Sequence, residues 1–245
     1  MNRRTLLSAG AAAAVVSTGL RPAQALAQTG GARALLAPWT GPYGGVPPFG
    51  RFAVADFKPA LEAGMADNLK EVDAIASNPA PPTFANVVEA LEGAGAALSR
   101  AQSIYGTYVV TMNLADFQPV QVEMDPKLAA FGDKITQNET LFARLDAVYN
   151  SPDKASLTPE QQRLTWDTWN NFVLRGARLD RAAKQRVTEI NQKLAGLYAT
   201  FSQNLQADEA GYDIYLKEAD TTGLPDSVKA NMAGAAAEAG RKGEY

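Results

Sequence analysis

The 245-residue sequence contains no histidine and no cysteine. Without cysteine, the chain cannot form disulfides, thiolate zinc sites or iron–sulfur clusters, and it has no thiol nucleophile. Without histidine, it lacks the commonest general base and metal ligand of enzymes. Carboxylates remain as charged ligands, and alone they hold Zn²⁺ poorly in a closed tetrahedral site. Hydrolytic and redox mechanisms that need histidine or cysteine are therefore excluded for this chain acting by itself.

Basic clusters are also lacking beyond the first few residues, and the formal net charge is −3. A protein that binds nucleic acid by contacting phosphates needs a basic patch, so nucleic acid is not expected as a partner. The composition, 46% hydrophobic and 20% charged, is ordinary for a globular protein of one or two domains. The chain can therefore bury a substantial core.

Residues 1–27 resemble an export signal peptide. Arg3 and Arg4 precede a weakly apolar run rich in alanine, and Ala25 and Ala27 form a small-x-small cleavage pattern. The paired arginines indicate the twin-arginine route and a periplasmic protein; an ordinary secretory signal or an uncleaved anchor are the alternatives. The apolar run is short and alanine-rich against the ~20 residues of a membrane span, so no membrane association is expected after cleavage.

Residues 28–54 are rich in proline and glycine. These residues disfavour helix and central strand, so we predict an ordered arm anchored by its aromatic side chains, Trp39, Tyr43, Phe49 and Phe52. The glycines between Gly41 and Gly50 suggest a phosphate-binding loop. However, no Gly-Lys-Ser/Thr follows and no strand precedes, which favours a turn-rich arm.

Residues 55–210 show the periodicity and punctuation of a helical bundle. A first helix begins at Asp56 and stops before Asn78-Pro79, and glycines at 93 and 95 predict a bend in the second. Later helices are predicted from Asp125-Pro126 to about Thr136, from Asn138 to about Asn150, and from Thr158 onward, the last buried on two sides. The final and longest helix runs from Asp180 to about Asp208.

That longest helix carries one apolar stripe. Its large apolar residues follow at steps of 3, 4, 3, 4 and 4 and are Val187, Ile190, Leu194, Leu197, Phe201 and Leu205. At ~1.5 Å per residue the helix would be roughly 40 Å long. Such a stripe is typical of a helix buried against others, so we predict that this helix is the spine of the bundle.

After the helix, the period changes to 2. Tyr212, Ile214 and Leu216 alternate with polar residues, which predicts one short strand, followed by a turn and a helix from Pro225 to Ala239. The predicted fold class is thus an all-α multi-helix bundle with one short β-strand or hairpin near the C-terminus. Residues 211–245 form its strand-turn-helix unit.

One stretch of the sequence is recognisable: the run from Glu189 to Asp208, EINQKLAGLYATFSQNLQAD, is followed by the predicted strand, by Glu-Ala-Asp and by Gly-Leu-Pro-Asp-Ser-Val. This stretch resembles the M3 family of zinc metallopeptidases, specifically peptidyl-dipeptidases (dipeptidyl carboxypeptidases). The likeness extends from about Leu36 to Tyr245 and concerns the family's non-catalytic N-terminal part. It implies a neurolysin-like N-terminal helical domain that forms one wall of a substrate channel. The His-Glu-x-x-His helix of the family is absent from this sequence.

The resemblance implies a full-length hydrolase that releases C-terminal dipeptides from short peptides with one Zn²⁺. The peptide substrate would be the partner of a catalytic half outside this sequence. Lys242-Gly243-Glu244-Tyr245 resembles the family's entry into a second strand, which would pair with Tyr212–Leu216. No catalytic, cofactor-binding or metal residue is assigned here. The alternatives are a non-catalytic helical module that binds a peptide or partner, and a degenerate paralogue without activity.

Three groups of residues have both a functional and a structural interpretation. The aromatic set could form a ligand cage, but its helical spacing favours a place in the hydrophobic core. The acidic pairs could bind Ca²⁺ or act as a catalytic acid and base, but positions in solvated turns are favoured. The arginines could bind a substrate carboxylate, but positions at solvated helix ends are favoured. The aromatic set is Trp166, Trp169, Phe172, Tyr198 and Phe201; the acidic pairs are Glu123 with Asp125 and Asp208 with Glu209; the arginines are Arg175, Arg178 and Arg181.

Overall fold

The computed structural model describes residues 30–112 and 114–245. The signal residues Arg3, Arg4, Ala25 and Ala27 lie outside the described residues. The α-helices are α1 (Gly30–Leu36), α2 (Phe57–Ala76), α3 (Ala90–Gly93), α4 (Ala96–Thr107), α5 (Gln118–Thr136), α6 (Glu139–Asn150), α7 (Pro159–Leu174), α8 (Arg181–Ala210) and α9 (Asp226–Glu238). Residues Phe84–Glu89 and Tyr108–Met112 are π-helical. The predicted all-α class is confirmed.

Short 3-10 helices occupy several connections, at Pro42–Gly44, Phe49–Arg51, Val54–Asp56, Pro152–Ser156 and Glu218–Thr221. The helix starts follow the capping rules. The Asp180 carboxylate accepts a hydrogen bond from the Ala183 N–H at 2.8 Å, and the Asn138 side chain accepts one from Leu141 at 2.9 Å. Thr158 and Gln161 cap each other's backbone N–H groups. Each cap satisfies a donor that the first helical turn leaves unpaired, which is why these starts were predictable.

The larger core cluster joins α1, α2, α4 and α5 around Phe57. The Phe57 ring is fully buried and contacts the rings of Tyr108, Phe117 and Phe52 at centroid distances of 4.8, 5.3 and 5.4 Å. All three pairs are edge-to-face, the arrangement that the aromatic quadrupole favours. This aromatic group fixes the arm against the first helices.

A second cluster joins the end of α2, the π-helical segment at 84–89, α6 and α7. Leu141 and Leu145 of α6 are fully buried in it, and Phe172 of α7 stacks on Phe142 at 6.3 Å. On the other side of α7, Trp166 and Leu174 are exposed. The expectation that this helix is buried on two sides is therefore wrong, because only one of its faces meets the second cluster.

The arm differs from its prediction in three places. Residues 30–36 form α1, and Leu35 of this helix is fully buried, because a run of alanine and leucine follows the glycines. Phe52 anchors the arm as predicted, through its contact with Phe57. Tyr43, in contrast, is fully exposed at φ +59°, between glycines that also adopt positive φ. It is not an anchor, and Phe49 is exposed as well, whereas Trp39 packs against the larger core cluster as predicted.

The prediction for α5 is wrong at its start and right at its end. Asp125-Pro126 lies inside the helix, which begins at Gln118 with Pro119 in its first turn. Proline is typical of a first helical turn, and in the structure Pro119, not Pro126, occupies that position. Between α3 and α4 the predicted bend is present. Gly95 adopts φ +72°, a conformation that favours glycine, and a Cβ there would also collide with the side-chain amide of Asn68.

The predicted strand at Tyr212–Leu216 is not formed in the part of the chain that the structure describes. The segment belongs to no helix or strand, and Tyr212 and Ile214 are exposed. One pair of hydrogen bonds is present: the Leu216 N–H donates to the Tyr245 carbonyl at 2.8 Å, and the Tyr245 N–H donates to the Leu216 carbonyl at 2.9 Å. A single such pair is too short to count as a strand.

Amide hydrogen exchange should distinguish the residues of this segment. We expect slower exchange at Leu216, whose N–H is bonded to Tyr245, than at Ile214, and slower exchange still in the middle of α8 at Leu194 and Leu197, because helical amides are bonded in sequence. The measurement is residue-resolved exchange on a monomeric sample. Protection at Ile214 equal to that at Leu194 would show that the segment is paired in solution.

Candidate functional site

The most distinctive surface of the molecule is on α8, which packs chiefly on α5. Polar side chains make that contact. The Asn191 amide donates to the Asp133 carboxylate at 2.8 Å, and the Gln137 amide donates to the Thr188 hydroxyl at 3.1 Å. Near the N-terminal end of α8, the largely buried Lys184 ammonium lies 3.1 Å from Glu139. The inner face of α8 is therefore hydrophilic at this end.

Small residues and glutamines continue the inner face toward the C-terminal end. Ala199 is 2% exposed, and Gly196 faces Pro126 of α5, whose ring an added Cβ would contact at an ordinary 3.9 Å. Gln203 and Gln206 donate to the backbone carbonyls of Gln118 and Val109 at 3.3 and 3.1 Å. Small side chains let two helices approach closely, and the amides satisfy the carbonyls at the edge of that contact.

The apolar stripe of α8 faces outward. Relative exposure ranges from 40% at Ile190 to 66% at Tyr198 for its large residues, which are Ile190, Leu194, Leu197, Tyr198, Phe201 and Leu205. The sequence prediction that this stripe is buried as the spine of the bundle is wrong from Ile190 onward. Val187, the first residue of the predicted stripe, is half-buried, and Tyr198, which the prediction did not include, shares the exposed face. The predicted periodicity is right, but the polar and small residues of α8, not the apolar ones, contact α5. We call the six exposed residues the α8 stripe.

The α8 stripe is longer and more continuous than the apolar surface common on monomeric proteins. From Ile190 to Leu205 it spans roughly 22 Å at ~1.5 Å per residue. Scattered exposed apolar side chains are ordinary, whereas contiguous apolar surface above a few hundred Å² marks a contact site. Two aromatic and four aliphatic side chains along four turns present an apolar area on the order of a few hundred Å². The stripe can therefore bind an apolar partner surface.

The aromatic set is divided between two sites. Phe172 is core, and Trp169 stacks on Tyr149 with ring centroids 4.0 Å apart while its indole N–H donates to Asp146 at 2.8 Å. Tyr198 and Phe201 belong to the α8 stripe and are exposed. The prediction of a common core is thus right for Phe172 and wrong for the two residues of α8. Trp166, also exposed, has the Arg163 guanidinium over its ring at 4.3 Å.

Glu123 and Asp125 lie within α5 and have different partners, so the structure does not support a paired acid and base. Glu123 lies 2.7 Å from the ammonium groups of both Lys58 and Lys127, whose hydrogen bonds lower the pKa of its carboxyl. Asp125 accepts a hydrogen bond from the buried Tyr105 hydroxyl at 2.6 Å. Burial, and then that hydrogen bond, raises the pKa of the Tyr105 phenol. The expectation that these acids sit beside solvent-facing turns is wrong.

The remaining candidates lie at the ends of α8 or before it. Asp208 and Glu209 are exposed in its last turn, and Arg181 is exposed at its start. The Arg178 guanidinium lies 3.5 Å from Asp146 and stacks over Trp169 at 4.8 Å, so it tightens the second core cluster. Arg175 is the exposed residue that ends α7. The structure does not assemble the three arginines into one carboxylate-binding site.

Residues 30–112 and 114–245 contain neither a metal-binding cluster nor a membrane-spanning helix. No group of three or more acidic side chains in that part of the chain is placed to hold a metal ion. No helix there combines the length and apolarity needed to cross a membrane.

Sequence comparisons give the relatives of this chain. No family model matches it. The chain is 34% identical over 161 residues to the dipeptidyl carboxypeptidase of Salmonella typhimurium, covering 66% of this chain and 24% of that protein. It is 32% identical over 195 residues to the dipeptidyl carboxypeptidase of Escherichia coli, covering 79% of this chain and 29% of that protein. Oligopeptidase A of Haemophilus influenzae is 25% identical over 81% of this chain and 29% of its own length.

The chain thus spans 24% to 29% of the length of these curated relatives. Identity is higher to the dipeptidyl carboxypeptidases than to the oligopeptidase. Over about 70–80% of its residues and at 25–34% identity, the chain is homologous to the M3 family peptidases named dipeptidyl carboxypeptidase and oligopeptidase A.

Proposed function

We propose that this chain is the N-terminal, non-catalytic helical portion of an exported zinc peptidyl-dipeptidase, in which it forms one wall of the channel that admits short peptides. The observation that carries the proposal is the 32% identity over 195 residues to the dipeptidyl carboxypeptidase of Escherichia coli. The relatives extend well beyond the matched segment, which leaves room in them for a catalytic portion. Peptide substrates would bind mainly to that portion.

The residues present here do not fit a catalytic zinc site. The sequence has no histidine or cysteine, and the described residues contain no acidic cluster placed around a metal. Such a site needs three protein ligands and one open position, usually with imidazole among the ligands. Zinc and the water that it activates would therefore be held by residues of the catalytic portion, and no chemical step is assigned to this chain.

Zinc titration tests that assignment on the isolated chain. We expect no binding tighter than about 1 μM and no release of dipeptides, because carboxylates alone are weak ligands for Zn²⁺. Isothermal calorimetry with ZnCl₂ and a chromogenic peptide assay are sufficient. Stoichiometric binding below that concentration would show that a site exists in this chain.

A chimera tests the proposed function itself. Residues 30–245 would replace the matched segment of the Escherichia coli dipeptidyl carboxypeptidase, and the same enzyme with the segment deleted is the control. We expect the chimera to release C-terminal dipeptides in a zinc-dependent reaction, while the deletion variant is inactive. A folded, zinc-loaded chimera without activity would overturn the proposal and favour the non-catalytic binding module or the degenerate paralogue.

Export to the periplasm is part of the same proposal and rests on Arg3 and Arg4. We expect that replacing both arginines by lysine leaves a reporter fused after Thr29 in the cytoplasm, because the twin-arginine translocase reads the paired guanidinium groups. Cell fractionation with the unaltered signal as control gives the measurement. Undiminished periplasmic reporter would indicate the general secretory route instead.

A further inference from the structure

We propose that the α8 stripe is the surface on which the catalytic portion of the full-length peptidase packs, through an amphipathic helix laid along α8. This inference rests on the proposed function and adds to it the surface that joins the two portions. It places the contact on Ile190, Leu194, Leu197, Tyr198, Phe201 and Leu205.

The amphipathicity of α8 is inverted relative to a surface helix. A helix at the edge of a complete domain turns its apolar residues inward and its polar residues to water. Here Asn191 pairs with Asp133 of α5 and Lys184 with Glu139 at the start of α6, whereas Leu197 is exposed. Because the polar face already has specific partners in this chain, the apolar face cannot turn inward without breaking them. Within residues 30–112 and 114–245, that face is left largely exposed.

The spacing of the stripe identifies the shape of that partner. Steps of 3 and 4 along a straight helix produce the ridge that packs into the groove of a second helix. The flank of the ridge is charged, and Arg186 and Glu189 pair with each other there at 3.2 Å. An apolar ridge about four turns long, with a charged flank, matches another amphipathic helix rather than the backbone of a short peptide.

The relatives supply a source for such a helix. Roughly three quarters of the length of each dipeptidyl carboxypeptidase lies outside its match to this chain, which covers 24% and 29% of the two proteins. A protein in which that length folds beside this portion has to bury apolar surface between the two. The α8 stripe offers that surface without rearrangement of α5 or α8.

The test uses a charge substitution in two contexts, the isolated chain and the chimera described above. Leu197→Glu with Phe201→Glu places two carboxylates in the stripe. The control, Gln192→Glu with Thr200→Glu, adds the same charge at exposed α8 positions outside the stripe. We expect the stripe pair to lower the unfolding temperature of the chimera by about 5 °C or more and to leave that of the isolated chain unchanged, while the control pair changes neither.

Each outcome decides between interpretations. If the chimera is active and the stripe pair leaves its stability and activity unchanged, the docking surface is wrong and the proposed function stands. If the stripe pair raises KM at unchanged stability, the stripe is a substrate wall instead. If the isolated chain dimerises in analytical ultracentrifugation and the stripe pair makes it monomeric, a second copy is the occupant. A chimera that is inactive even without substitutions removes the proposed function and the inference together.

Discussion

Replacing Phe57 with alanine should destabilise the isolated chain by about 3–5 kcal/mol. The ring is fully buried and contacts Tyr108, Phe117 and Phe52, with a further contact to Tyr105 at 5.9 Å. Truncation removes the favourable free energy of burying the ring. It also leaves a cavity, because the helices packed around Phe57 cannot move together to fill it. Equilibrium unfolding in urea, monitored by circular dichroism, gives the change in the free energy of unfolding.

Phe201→Ala is the matched control for that substitution, because the same side chain is lost from the exposed α8 stripe. We expect a change within about 0.5 kcal/mol in the monomeric chain. Both variants place alanine, a good helix former, in a helix, so the difference between their free energies of unfolding reports the burial of the lost ring. Comparable losses for Phe57→Ala and Phe201→Ala would mean that the stripe is covered in the isolated chain.

Arg144→Ala should lower the free energy of unfolding by about 2–3 kcal/mol, because the guanidinium group makes several charge-assisted hydrogen bonds at once. It donates to the carbonyls of Asn78 and Ala80 at 2.6 and 3.0 Å and to the Asn86 side chain at 3.2 Å. These bonds join α6 to the loop after α2 and to the start of the π-helical segment. Their loss leaves carbonyls at the edge of the second core cluster without a donor.

Arg163→Ala serves as the control for this variant. Arg163 is an exposed residue of α7 whose guanidinium lies over the Trp166 ring. An exposed cation–π contact is worth about 0.5–1 kcal/mol, so a clearly smaller loss is expected. Equal unfolding midpoints for the two variants in the same urea titration would show that the Arg144 hydrogen bonds do not hold the loop.

The helices and their ends could be predicted from local sequence wherever a cap defines them. Thr158, Asn138 and Asp180 each supply a side-chain oxygen for an unpaired N–H, and that chemistry does not depend on the rest of the fold. The start of α5 was predicted too late, at Asp125-Pro126, because proline is typical of a first helical turn and the earlier Pro119 is the one that occupies it. Residues 30–36 were missed because neighbouring glycines masked a short helix that depends on the burial of Leu35.

The orientation of α8 could not be predicted from its own periodicity. A repeat of apolar residues shows which side chains share a face, but a partner for that face can lie in the chain or outside it. The opposite face did carry a signal: Gly196 and Ala199 are small enough for a close helix crossing, and the polar residues beside them are those that bond to α5. The strand at Tyr212–Leu216 was predicted from alternation alone, and alternation does not form a ladder without a partner strand.

Thiol labelling of single-cysteine variants tests the inverted orientation of α8 most directly, because the natural sequence has no cysteine and contributes no background. Leu197→Cys lies in the stripe, and Ala199→Cys lies two residues away on the face against α5, where the alanine is 2% exposed. We expect Leu197→Cys to react with a maleimide at nearly the rate of the unfolded chain and Ala199→Cys to react at least tenfold more slowly, since burial limits reaction to local opening. Fast labelling at position 199 with protection at position 197 would contradict the outward orientation of the stripe.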